Sequence, residues 1–204
     1  MPEGHTIHRL SKDLRSDLST GVVSATSPQG RFEHGASLIN KKSLVTSDAW
    51  GKHLFLTFSE ETILHIHLGL IGKFRPQALE CEPSDTVRLR LEGHRAWHLT
   101  GPQKCALISK EESLRVIDDL GPDPLRRGSK WEDFASGLTG RKTAIAISLL
   151  DQSIIAGVGN VYRAEFLFLL GIHPERRSCD LTQTELEDLW RMSVSQLRQG
   201  VRLN

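Results

Sequence analysis

The chain has 204 residues, 38% hydrophobic and 25% charged, with a formal net charge of +1. That composition suits one large or two small globular domains and excludes a disordered chain. No run of about 18 apolar residues offers a membrane span, the start lacks the basic and apolar regions of a signal peptide, and Cys81, Cys105 and Cys179, widely spaced and without a CxxC pair, fit reduced thiols rather than a disulfide framework.

The chain begins MPEG and continues HTIHRLSKDLRSDLSTG, where Ile7, Leu10, Leu14 and Leu18 recur at helical spacing and Gly21 supplies a stop. The period then changes. KHLFLTF, TILHIHLG, TVRLRLEG and RAWHLT read as strands, most clearly the third, in which Val87, Leu89 and Leu91 alternate with Arg88 and Arg90. Strands of this kind between short polar turns predict a mostly antiparallel sandwich or barrel. LGPDPLRRGSK, punctuated by Gly121, Pro122, Pro124 and Gly128, marks a domain boundary. Beyond it, WEDFASGL, TAIAISLLDQ, NVYRAEFLFLLG and TQTELEDLWRMSVSQLRQG predict four helices, the last opened by a Thr182–Glu185 capping box. The expected fold is α+β: an antiparallel β-sandwich with a flanking helix over residues 1–122, then a helical domain over 123–204.

Two stretches carry chemistry. If Met1 is removed, Pro2 becomes an amino-terminal secondary amine. An α-amino group has a reference pKa of about 7.7–8.0, so a useful fraction is neutral near pH 7 and free to attack a carbonyl-like carbon. The resulting iminium acidifies the neighbouring C–H bond, and Glu3 stands ready to move protons. Gly4 permits a tight backbone approach to a ligand. The same residues also suit a plain helix start, with proline in the first turn and an acid near the positive end of the dipole. The second stretch is DQSIIAGVGNVYRAEFLFLLGIHP. Gly157 and Gly159 allow unusual backbone shapes, and Asn160 caps the helix that follows. The first N–H groups of that helix lack internal partners and form a ready site for a phosphate; an ordinary glycine-rich hairpin is the alternative. His65 and His67, two apart on a strand, share one face, but no third ligand is evident and no metal is assigned.

Together, MPEG and LLDQSIIAGVGNVYRAEFLFLLGIHP, with WGKHLFLTF and HIHLGLIGKFRP between them, resemble the formamidopyrimidine-DNA glycosylase and endonuclease VIII family of base-excision repair enzymes. The resemblance covers nearly the whole chain in the right order. It identifies the second stretch as that family's helix–two-turn–helix motif and implies damaged double-stranded DNA lying across the cleft between two domains. It implies that Pro2 attacks C1′ of a flipped-out nucleotide and forms a Schiff base, that Glu3 assists proton transfer at the sugar, and that β,δ-elimination then cuts the strand. By the same resemblance Lys52 and His67 contact phosphate, and Gly159 and Asn160 hold another phosphate. Leu70 stands at the position of an apolar wedge that fills the gap left by the flipped base; a core leucine at a strand end is the other reading. A monomer in the cytoplasm, associated with the nucleoid, is the default expectation.

The sequence also departs from the pattern. The family's carboxy-terminal zinc finger has two CxxC pairs, and the chain ends QGVRLN without them. No cofactor is therefore expected within these residues, and a structural zinc only where such a finger is present. Without it, DNA affinity and base removal are expected to be weak, because phosphate contacts supply much of the affinity. Ser153 stands where one branch has a lysine, Thr6 where it has an acid, and GPQKCALIS lacks an arginine–phenylalanine pair. These differences favour the endonuclease VIII branch and oxidised pyrimidines. A non-catalytic DNA- or RNA-binding module remains the rival reading.

Overall fold

The computed structural model describes residues 1–203. Helix α1 (Gly4–Leu18) buries Ile7, Leu10, Leu14 and Leu18, the stripe its spacing predicts. It is followed by β1 (Val22–Thr26), α2 (Glu33–Ile39), β2 (Lys42–Trp50), β3 (His53–Phe58), β4 (Thr62–His67), β5 (Lys73–Gln77), β6 (Val87–Glu92), β7 (Ala96–Thr100) and β8 (Lys104–Ile108). All pairings are antiparallel, in the order β5-β7-β6-β1-β2-β3-β4-β8. The β1–β2 join is short, only Val22↔Ser43 and Val23↔Lys42. This lets two four-stranded halves fold over one core, in which Leu54, Leu56, Leu64 and Ile66 of one half meet Leu89, Leu91, Trp97 and Leu99 of the other, together with the α1 stripe. Burying that shared apolar surface is what holds the two halves together.

A helical part follows: α3 (Lys110–Asp118), α4 (Trp131–Leu138), α5 (Ile145–Ser148), α6 (Asn160–Leu169), a 3₁₀ turn (Ser178–Asp180) and α7 (Gln183–Leu203). Phe134, Leu138, Ile154, Ile155, Phe166, Leu189 and Leu197 form a second, separate core. The expected capping box is present: Glu185 N–H donates to Thr182 Oγ1 and Thr182 N–H to Glu185 Oε2. α3 has one as well, from Ser109 and Glu112.

Three features depart from the sequence reading. The helix expected over TAIAISLLDQ shrinks to one turn: at its start Ile145 N–H and Ala146 N–H donate to the carbonyls of Arg176 and Pro174 and Ala144 bridges Arg177, and at its end Leu150 N–H and Asp151 N–H turn to the carbonyls three residues back, Ile147 and Ser148. The strands and helices outside the quoted segments (β1, α2, β2, β5, β8 and α3) also form, most of them too short for a local period to show. Arg90, expected on the polar face of β6, is buried; its guanidinium binds Glu92 and the carbonyls of Cys81 and Leu79, so its donors are satisfied inside.

The two parts are latched at residues 120–130. Asp123, 1% exposed, accepts from Gly51 N–H at 2.7 Å, Leu125 N–H at 2.8 Å and His8 Nε2 at 2.8 Å. Arg126 lies 4.1 Å over the Trp50 ring and donates to Asp48 and the Ala49 carbonyl. The turn carrying Gly51 and Lys52 is thereby tied to the helical part.

Candidate nucleic-acid-processing site

Glu3 organises the site. It is 1% exposed, and its carboxylate reaches across the junction to the start of α6. It accepts from Gly159 N–H at 2.8 Å, Val161 N–H at 2.8 Å and Tyr162 N–H at 3.4 Å. This corrects two expectations. The amides of Gly159, Val161 and Tyr162 do not point outward for a phosphate; they already hold an anion supplied by the chain itself. Asn160 is not the cap: Gly159 occupies the N-cap position, and Asn160 is the first helical residue, exposed. Gly159 is needed there because a Cβ would sit 2.6 Å from the Glu3 carboxyl carbon.

The backbones close around this contact. Gly4 N–H donates to the Gly157 carbonyl at 2.8 Å, and a Cβ on Gly4 would lie 2.9 Å from Gly157 Cα. Gly157 itself has φ +93, in the region that favours glycine. A Cβ on Gly51 would meet Ala156 Cβ at 3.0 Å. The close approach foreseen at Gly4 is therefore to Gly157, not to a ligand.

Pro2, beside Glu3, opens on a cleft of about 530 Å³ lined also by Thr6, Leu68, Leu70, Ile71 and Phe74. Leu70 is 70% exposed and Ile71 78% exposed, so Leu70 is not a core leucine. Two adjacent apolar side chains are thus held in solvent beside the cleft. Lys52 is half-buried. Burial pushes its ammonium below the usual lysine range, partly offset by the charge of Glu3. It also bears electrostatically on His53 and His67.

His67 lies across β4 from His53 of β3 and Lys104 of β8. His65, one pleat along and 1% exposed, binds His53 through Nε2···Nδ1 at 2.9 Å. Burial lowers all three rings, His53 to about 4 and His65 to about 3 with neighbouring positive groups adding, and His67 against a hydrogen bond to Gln103 that favours its charged form, so His53 and His65 are neutral at pH 7. Sequence spacing found His65 and His67 on one face but missed His53, the cross-strand partner. Among the described residues no cluster of three or more His, Cys, Asp or Glu could hold a metal ion. The cysteines fit a zinc site no better: Cys81 and Cys179 are exposed, and burial pushes the Cys105 thiol up to about 12. Ser153 donates to Asp151 and faces solvent.

Residues 1–108 match the Formamidopyrimidine-DNA glycosylase N-terminal domain and residues 120–204 the Formamidopyrimidine-DNA glycosylase H2TH domain. A protein named Endonuclease 8 1, from Mycobacterium tuberculosis, is 40% identical over 99% of this chain and 78% of its own length. A Formamidopyrimidine-DNA glycosylase of Desulfitobacterium hafniense is 35% identical over 76% of this chain and 59% of its own. Among solved structures, Lactococcus lactis Fpg in complex with DNA containing an abasic site superposes with a TM-score of 0.82 at 22% identity, covering 98% of this chain and 79% of that one. At that identity the likeness speaks for the fold. No helix among the described residues is long and apolar enough to cross a membrane.

Proposed function

Because the chain belongs to the formamidopyrimidine-DNA glycosylase and endonuclease VIII family, nearer its endonuclease VIII branch, we propose that it is a bifunctional DNA glycosylase and abasic-site lyase acting on oxidised bases, pyrimidines foremost. Residues 1–122 carry the chemistry and 123–204 grip the DNA. The observation that carries this reading is the Glu3 clamp: it fixes the residue next to Pro2 to α6, aiming the amino terminus into the cleft beside Leu70.

Once Met1 is removed, the Pro2 nitrogen bonds to C1′ and the glycosidic C1′–N bond breaks, the departing base taking a proton. Opening the C1′–O4′ bond with a proton on O4′ gives the iminium, and Glu3 moves protons at the sugar. Loss of a C2′ proton then expels the 3′ phosphate, and a second elimination expels the 5′ phosphate. Lys52 and His67 hold phosphate beside the reacting sugar, Asn160 contributes a further contact from the exposed start of α6, and Leu70 occupies the space of the flipped nucleotide. Such a protein works as a monomer on double-stranded DNA in the cytoplasm, at the nucleoid.

The test is borohydride trapping with an abasic-site duplex. A covalent adduct is expected with a free amino terminus and is lost when a tag blocks it or in Pro2→Gly. Duplex binding with no adduct from a protein with Met1 removed would instead make it a non-catalytic nucleic-acid-binding module.

A further inference from the structure

The face of the sheet carrying His53, His65 and His67 has a concavity of about 320 Å³, lined also by Gln103, Lys104 and Val116. Lys104, His67 and His53 stand in one row across β8, β4 and β3. The hydrogen-bond network assigns their protons. Gly69 N–H donates to His67 Nδ1 at 3.2 Å, so the His67 proton is on Nε2. For the His53–His65 pair two arrangements are available. If His53 Nδ1–H donates, His65 carries its proton on Nδ1, which is buried and has no partner. If His65 Nε2–H donates, that buried Nδ1 is only a bare acceptor. An orphaned buried N–H is the rarer and more costly defect. His65 therefore donates, and His53 is left with its proton on Nε2, the nitrogen no other side chain binds among the described residues.

We propose that His53 is a second phosphodiester-binding residue: a neutral Nε2–H donor, set in that tautomer by His65, that acts beside His67 and Lys104 on the DNA backbone. The assignment rests on the DNA-processing function proposed above. The His67 Nε2–H already meets the Gln103 side chain, so the donor that faces the backbone is His53 Nε2–H; a neutral donor flanked by two lysines suits a phosphodiester, because it needs no counterion and the lysines supply the charge. Burial beside Lys52 and Lys104 keeps His53 unprotonated down to about pH 4, so the donor is of one kind across the physiological range. His65 never needs to touch DNA. It is a positioning residue, which accounts for a histidine enclosed at a strand position where an aliphatic residue would pack without an orphaned nitrogen.

The experiment combines imidazole ¹⁵N spectra with binding to a duplex carrying a tetrahydrofuran abasic analogue. In the free protein His53 should carry its proton on Nε2, and adding the duplex should move that signal. His65→Leu should leave a mixture of His53 tautomers. His53→Ala should weaken binding roughly tenfold, the size of one hydrogen bond to a charged group, with an unchanged salt slope, since no cation is lost. His53→Gln, which keeps an N–H donor, should recover most of it. Lys52→Ala is the contrast: it should flatten the slope by about one counterion. A free-state His53 proton on Nδ1, or full affinity in His53→Ala, overturns the assignment and leaves the enzyme reading intact. If the unsubstituted protein neither binds this duplex nor forms the borohydride adduct, both fall together.

Discussion

Replacing Glu3 with glutamine tests whether the carboxylate clamp is real. The native group accepts two bonds at 2.8 Å and one at 3.4 Å, all from backbone amides at the start of α6. Hydrogen bonds to a charged partner contribute about 1.5–3 kcal/mol each. Glutamine is nearly isosteric but offers one oxygen and one NH₂. One strong bond becomes neutral, and the other is replaced by two donors facing each other at a site 1% exposed. Losing one bond and weakening a second amounts to about 3 kcal/mol, and the anion is also lost from the helix dipole. For a chain of this size that lowers the thermal midpoint by roughly 6–12 °C. Differential scanning calorimetry reads the midpoint, and hydrogen exchange should show the first amides of α6 losing protection. Borohydride adduct formation should fall in parallel, because Pro2 is no longer held. A midpoint within about 1 °C of the native protein, with α6 amides still protected, would refute the clamp.

Other expectations follow from the same geometry. Asp123→Ala strands the Gly51 and Leu125 amides and should cost about 3 kcal/mol in urea unfolding; adduct formation should drop too, since Gly51 precedes Lys52. Leu70→Ala should leave the thermal midpoint unchanged, because the side chain is 70% exposed, while the abasic duplex dissociates faster in a stopped-flow assay. His53 and His65 take up protons less readily when folded than their ordinary 6.5, so their contribution to stability is complete above about pH 6.5 and declines as pH falls toward 4 and 3. From pH 7.5 to 5.5 each such group costs about 1 kcal/mol. In His65→Leu the fall in unfolding free energy over that window should shrink by about that amount; an unchanged pH dependence would mean that His65 titrates normally.

Much of the fold was legible because it depends on short-range period. The α1 stripe and the Thr182–Glu185 cap are local, and each forms as its spacing predicts; β6 also forms, but Arg90 is buried against its alternation. The proposed reactive end rests on residue type: Pro2 with Glu3, Lys52 before a strand, and the glycine-rich approach to α6 are chemical statements that local sequence makes. Leu70 was ambiguous because an apolar residue at a strand end reads equally as core or as wedge, and only its exposure separates them.

What the tertiary structure decided were contacts between distant residues. Glu3 and Gly159 are 156 positions apart, so nothing in either segment says that one caps the other's helix. Gly4, Gly51 and Gly157 are glycines because their three backbones converge, a requirement that no single stretch expresses. The helix expected from Thr143 begins only at Ile145, where residues 174–177 pair with its first amides. His53 gained meaning only when strand register set it against His67 and His65. Local sequence specifies which backbone shapes and which reactive groups are available. Burial and long-range hydrogen bonds decide which of them face each other, because those energies exist only once distant segments have met.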